Sequence, residues 1–366
     1  MAGKILNYYA GGNTARGFHN LFESNLSGLE RLFILKGGPG TGKSTLMKAI
    51  GKKWNDIGYD VEYIHCASDN GSIDGVILRG LKVGIVDGTS PHVIEPKAPG
   101  ALEEYVNLGA AWDSVLLAEK KDEILQLSES ISDDFARAYS IFHEALLVHD
   151  EWEKIYIESM DYSKADELTD ELISTFFAKK VNRQANVFHR FLGAATPKGA
   201  VDHVPNLTEG LKERFFIKGR PGSGKSTLLK KLAAKAEESG YDVEVYHCGF
   251  DPNSLDMIIV RELGFAIFDS TAPHEYFPER AGDTIIDMYA KTITPGTDEK
   301  HAAELKNISG RYSDKMKEAI SFLAKAKRKH DDLENYYIGA MDFSKISEIQ
   351  EQVDQEIEKL AVARQK

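Results

Sequence analysis

Two kinds of text alternate along the chain: short apolar runs bounded by glycine-rich or polar turns, and long charged stretches with helical periodicity. The run Arg31–Lys36, Arg-Leu-Phe-Ile-Leu-Lys, holds four apolar residues between two cations, the pattern of a buried strand. Residues 4–10 read as a shorter strand before a glycine-rich turn. A helix is expected from residue 43 to about 57, closing at Gly58 as a glycine C-cap would close it. Residues 60–66 and 81–87 read as further strands, with a short helix near 73–79 between them. This strand–helix order predicts a parallel sheet. From about residue 100 to 180 the alternation gives way to helical text, as in 130–161 and 164–177. There Phe135, Tyr139, Phe142, Leu146 and Trp152 recur at helical spacing, which suits a core stripe, a lid or a partner-docking arm.

The same pattern then runs a second time. Gly37 to Thr45, Gly-Gly-Pro-Gly-Thr-Gly-Lys-Ser-Thr, returns at Gly219 to Thr227 as Gly-Arg-Pro-Gly-Ser-Gly-Lys-Ser-Thr, with Lys43 and Lys225 182 positions apart. At that offset residues 37–100 and 219–282 agree at about 30 of 64 positions, far above chance. Met160 to Lys164 matches Met341 to Lys345 at an offset of 181. The 366 residues therefore read as a tandem duplication, 1–183 and 184–366. Each copy is an α/β core followed by a helical appendage, at about 100–180 and 283–366.

Composition narrows the class. With 42% hydrophobic and 28% charged residues the chain has ample core, which excludes a disordered or collagen-like protein. A net charge of -12 argues against non-specific nucleic-acid binding and against docking on an anionic membrane. Cys66 and Cys248 are too few for a disulfide framework, and no CxxC pair suggests zinc. Neither a signal-like apolar run at the start nor a stretch near the ~20 apolar residues of a membrane span is present, so a cytoplasmic location is the expectation.

Both glycine loops fit G-x-x-x-x-G-K-[ST], and each follows a predicted strand and opens a predicted helix. Glycine lets the backbone wrap closely around an anion and turn its N–H groups inward, while the helix N-terminus adds dipole and unpaired donors. The expected phosphate cradle is Gly37, Gly38, Pro39, Gly40, Thr41, Gly42, Lys43, Ser44 and Thr45 in the first copy. In the second it is Gly219, Arg220, Pro221, Gly222, Ser223, Gly224, Lys225, Ser226 and Thr227. Lys43 and Lys225 would reach the β- and γ-phosphates, and the Ser44 and Ser226 hydroxyls would hold Mg²⁺.

On these loops and the strands around them, over roughly 31–92 and 213–274, the chain resembles the P-loop NTPase superfamily. The repeated Asp-x-Thr-x-Pro-His element at Asp87 and Asp269 is similar to that of a bacterial family of tandem P-loop ATPases. The resemblance implies two P-loop-type cores, each a parallel sheet in a three-layer αβα arrangement. It also implies nucleotide binding, without choosing between ATPase, kinase, motor and switch. Val83-Gly-Ile-Val-Asp87 and Phe265-Ala-Ile-Phe-Asp269 resemble the Walker B strand, whose aspartate positions Mg²⁺; a strand-end aspartate that only caps a turn is the alternative. Gly88 and Ser270 follow these aspartates where many ATPases of the superfamily carry a water-polarising glutamate. Guanine-reading motifs are missing from their places, which favours ATP over GTP.

Weaker constellations surround the loops. Asp69 and Asp251, just past His65-Cys66 and His247-Cys248, would lie at the ligand end of a parallel sheet, as a carboxylate for an acceptor hydroxyl or water, or as solvated loop residues. His92 and His274 suit a γ-phosphate sensor or a rigid Pro-His turn. Arg79 with Arg261, and Arg16 with Lys198, are paired cations that one copy would offer to the other's phosphates, or plain surface charges. The function expected is ATP binding with Mg²⁺-dependent hydrolysis at two sites. A kinase for a small molecule or nucleotide, and an ATP-controlled module that binds a protein partner, are the alternatives. The two halves are expected to be able to pair within the chain.

Overall fold

A computed structural model describes residues 2–364 and realises each copy as the same string of elements. The first runs β1 (Ile5–Tyr8), β2 (Gly11–Thr14), β3 (Gly17–Asn20), α1 (Phe22–Leu26), β4 (Arg31–Lys36), α2 (Lys43–Asp56), β5 (Val61–His65), β6 (Ile73–Leu78), β7 (Val83–Asp87), β8 (Glu103–Asn107), α3 (Ser114–Glu119), α4 (Lys121–Ile157) and α5 (Tyr162–Phe176). The second runs β9 (Val187–Phe191), β10 (Gly193–Thr196), β11 (Gly199–Asp202), α6 (Val204–Leu207), β12 (Glu213–Lys218), α7 (Lys225–Glu238), β13 (Val243–His247), β14 (Leu255–Val260), β15 (Phe265–Asp269) and β16 (Asp283–Asp287). It closes with α8 (Met288–Thr292), α9 (Thr297–Lys300), α10 (Ala302–Ile338) and α11 (Phe343–Arg364).

Each copy forms a six-stranded sheet, in the order β1-β5-β6-β7-β4-β8 and, in the second copy, β9-β13-β14-β15-β12-β16. The sheets are mixed and not wholly parallel. Where a helix was expected near residues 73–79, β6 runs antiparallel to β5 and β7, and β14 does the same in the second copy. All six residues of Ile73–Leu78 are buried, so the segment shows no alternation to announce a strand. A second departure is β8, which pairs in parallel with β4 beyond the point where strand text was read to end. It is a sheet edge with exposed Glu104 and Tyr105, which hides its strand character. The glycine-rich turn after β1 is a hairpin, β2 with β3, matched by β10 with β11.

Along β4 the side chains alternate between two cores. Phe33 and Leu35 face α2, while Leu32 and Ile34 face a core that also takes in Phe216, Met257, Ile259 and Phe268 of the second copy. The halves thus share one apolar interior, stitched by paired backbone bonds between Tyr9 and Phe191.

The helical appendages cross over. Ile346, Val353, Ile357 and Ala361 of α11 complete the core around α2, so the end of the second copy covers the first sheet. Leu168 and Leu172 of α5 join the core around α7 in the second copy. Between them α4 and α10, 37 residues each, lie side by side. Ion pairs Glu151–Arg311, Glu144–Lys315 and Asp134–Lys329 fix them as antiparallel. At the seam Ala138 and Ala319, 181 positions apart, are fully buried beside Phe142, Leu146 and Leu323. Small residues there let the helices approach closely, and Phe142 and Leu146 are core residues of that seam. Among the described residues no helix is long and apolar enough to cross a membrane.

Candidate functional site

The loop between β4 and α2 turns on Gly40 and Gly42, at φ of 68° and 88°, where a side chain would be strained. Gly222 and Gly224 do the same at 75° and 87°. Thr41 Oγ1 donates to the Gly38 carbonyl at 2.8 Å, bracing the first loop across its own turn. Lys43, the first residue of α2, folds back so that Nζ donates to the carbonyls of Gly37 at 3.0 Å and Gly38 at 2.7 Å. The same ammonium lies 3.6 Å from Asp87 at the end of β7. In the second copy Lys225 Nζ donates to the Arg220 carbonyl at 3.0 Å and stands 3.4 Å from Asp269.

The strand-end aspartates do two things at once. Asp87 Oδ1 accepts from the backbone and hydroxyl of Thr89, at 2.9 and 2.6 Å, and so caps the turn, while Oδ2 faces Lys43. Asp269 repeats this with Thr271 and Lys225. Ser44 Oγ accepts from the Ile73 N–H at 3.0 Å, and Ser226 Oγ accepts from the Leu255 N–H at 3.0 Å. The start of the unforeseen antiparallel strand therefore pins the loop serine. Thr45 and Thr227 are exposed on the first helical turn.

Asp69 and Asp251 sit in tight turns after β5 and β13. Asp69 accepts from Gly71 N–H and the Ser72 hydroxyl, and Lys327 of α10 comes within 3.4 Å. Burial works against its charge, but these donors and the lysine hold its carboxyl below the ordinary range. Asp251 accepts from Asn253 N–H and pairs with Arg16 at 2.7 Å. In each case the cation comes from the other copy. Arg16 lies in the β2–β3 hairpin, whereas its counterpart Lys198 is exposed and makes no ion pair among the described residues.

Arg79 and Arg261 are nowhere near the loops. They follow β6 and β14 at the opposite end of the sheets and pair with Glu62 and Glu244 at the shared core. His92 is buried beside Asp74, 3.5 Å away, behind the strand-end aspartate. Burial opposes its protonation, yet Asp74 and Asp87 hold the imidazole above its ordinary range. His274 instead meets Asp202 at 2.8 Å. Burial and the neighbouring Asp74 or Asp256 carboxylate push both cysteine thiols up, so they stay protonated and suit packing better than metal binding.

Two groups of residues escaped sequence reasoning. Asp74 and Asp256, on the antiparallel strands, are buried carboxylates behind the site; burial and Asp269 raise Asp256 to about 6. Their identity at the 182-residue offset was the available signal. The second group is His149, Asp150 and Glu153 on α4, with His330, Asp331 and Glu334 on α10, again matched at 181. Within each trio the polar atoms lie within 4.8 Å of one another. Both trios sit on the opposite copy's loop. A Cβ added to Gly222 would stand 2.4 Å from the Glu153 carbonyl, and one added to Gly40 would stand 2.9 Å from that of Glu334. The loops differ at two positions: Gly38 meets the Tyr337 ring where Arg220 instead pairs with Asp298 at 2.8 Å, and Thr41 is replaced by Ser223, whose buried hydroxyl makes no hydrogen bond among the described residues.

Compared with protein-family models, with curated proteins and with solved structures, the chain gives no match.

Proposed function

We propose that the protein binds ATP with Mg²⁺ at two loops per chain and hydrolyses it. The observation that carries this reading is the repeated triangle of loop, lysine and strand-end aspartate. In both copies the ammonium of Lys43 or Lys225 lies between loop carbonyls and a carboxylate oxygen, at a glycine-built strand-to-helix turn. A phosphate in the loop would offer the ammonium anionic oxygens in place of these carbonyls, and the loop N–H groups and helix N-terminus add to the same positive field. Mg²⁺ fits the donor set: the Ser44 and Ser226 hydroxyls with the Oδ2 atoms of Asp87 and Asp269 are hard oxygen ligands. When bound, the ion would neutralise charge on the transferred phosphoryl group. The side chains of Lys43 and Lys225 orient the phosphates and stabilise charge developing on them.

A kinase reading would need Asp69 and Asp251 free to take an acceptor proton. Each is instead engaged by its own turn and by a cation of the other copy, which favours water as the nucleophile. A phosphorylated small molecule or nucleotide appearing in place of free phosphate would reverse that preference. The nucleotide is the partner this reading requires; a protein partner acting through the crossed helices would come second to it.

The test is phosphate release with Mg²⁺-ATP. Lys43→Ala combined with Lys225→Ala is expected to abolish it, by roughly 10²-fold or more. Undiminished release from the folded double variant would remove the assignment.

A further inference from the structure

The loops carry no glutamate after Asp87 or Asp269 to polarise water, and Asp69 and Asp251 are already engaged. Further polar groups reach each loop from the opposite copy. On the second loop, the α4 backbone at Glu153, one turn after His149, rests against Gly222. His149 is half-buried, 3.8 Å from Glu153, and packs against both Phe250 and Tyr312, whose rings also meet each other. Phe250 directly precedes Asp251, so this contact sets the imidazole beside the turn that follows β13. Arg16 joins the same group through Asp251. On the first loop, the α10 backbone at Glu334, one turn after His330, rests against Gly40, and Lys327 of the same helix reaches Asp69. His330 Nδ1 is shut off from solvent with no hydrogen-bond partner, although its carboxylate neighbour Glu334 is 3.6 Å away.

The duplication sharpens the point. A helix that merely packed on a loop would need only small or apolar residues at the contact. Here the turn that ends at the contact keeps His-Asp-x-x-Glu in both copies, while the intervening pair Trp152 and Leu333 and the preceding pair Val148 and Lys329 differ.

We propose that each nucleotide site is composite, built from the loop of one copy and the His-Asp-x-x-Glu turn of the other, with His149 serving the Lys225 site and His330 serving the Lys43 site. This rests on the nucleotide reading above. The imidazole takes the proton of the attacking water. The water oxygen bonds to the γ-phosphorus, the bond from that phosphorus to the β–γ bridging oxygen breaks, and ADP leaves with the bonding pair. The proton then passes from the imidazole to solvent. Burial lowers both histidines, so each is neutral near pH 7 and able to accept it.

Crossed variants of the full chain decide it. With Lys43→Ala, only the second loop turns over; His149→Gln should then remove roughly 10²-fold of kcat with little change in KM, while His330→Gln leaves the rate within about twofold. With Lys225→Ala the two histidines should exchange roles. If each loss instead follows the copy carrying the histidine, or neither substitution matters in either background, the composite site is wrong. Chemical modification of histidine gives a readout that does not depend on turnover. In Lys43→Ala, a non-hydrolysable ATP analogue should block diethyl pyrocarbonate labelling of His149 but not of His330, and in Lys225→Ala the reverse. Protection in the crossed pattern without phosphate release would uphold the composite site while ending the ATPase reading. Lysine-dependent release without crossed protection would do the opposite.

Discussion

Position 190 holds an arginine where its match in the first copy, Tyr8, holds a phenol, and that single departure fastens the two halves. Arg190 is almost fully buried, 3.1 Å from Glu62 and 3.3 Å from the matched Glu244, with its guanidinium over the Tyr8 ring at 4.2 Å. Arg190 is shared between two equivalent carboxylates, each of which also holds its own copy's arginine, Arg79 on Glu62 and Arg261 on Glu244. Removing it leaves each carboxylate with its own copy's arginine, so the loss is that of charge-assisted hydrogen bonds and packing and not of an unpaired buried charge. Arg190→Leu is therefore expected to lower unfolding free energy by about 1.5–3 kcal/mol, read by urea denaturation, and a loss below about 0.5 would contradict the assignment. The same network sets an acid limit. Burial raises the Glu62 carboxyl, but Arg190 and Arg79 more than reverse this and hold it at about 2. Its stabilisation is thus complete above the ordinary glutamate range and fades as pH falls toward about 2, a fade that should shrink in the variant. Nothing in the sequence marked Arg190, because its partners lie 128 and 54 residues away. The loop lysines were legible because all their chemistry is local.

At the level of elements, the glycine loops meet two demands at once. Gly222 is at a φ of 75° and also receives the backbone of α4 at Glu153. Gly17, at a φ of 86°, faces open space. Gly17→Ala should cost only the left-handed penalty, about 1–2 kcal/mol, while Gly222→Ala should cost clearly more because it also drives α4 off the loop. Equal losses in chemical denaturation would mean that the helix does not rest on the loop. Elements with a local signature were legible: β4 from its apolar run, α2 from the loop before it and Gly58 after it, α4 from its periodicity. The antiparallel β6 was not, since a fully buried six-residue run containing Asp74 and Gly75 carries no period. Nor was β8, whose pairing with β4 is decided by the sheet and not by its own polar sequence. The His-Asp-x-x-Glu turns read as ordinary charged helix faces, because only the crossing of α4 and α10 brings them to a loop.

For the whole molecule, duplication in sequence has become interlock in space. The two copies exchange helices, share an apolar interior, and place a turn of each long helix on the other's loop. Halving the chain at residue 183 describes its text, while the packing units are a sheet from one copy and covering helices from the other. Two similar loops are the chain's repeated chemical feature, and the differences around them, Gly38 against Arg220 and Lys327 against Arg16, predict two affinities and not one. Calorimetric titration of the full chain with Mg²⁺ and a non-hydrolysable ATP analogue tests this most directly. Two molecules should bind per chain, falling to one in Lys43→Ala and one in Lys225→Ala. Binding that is absent, or that keeps its stoichiometry when either lysine is removed, would contradict the account.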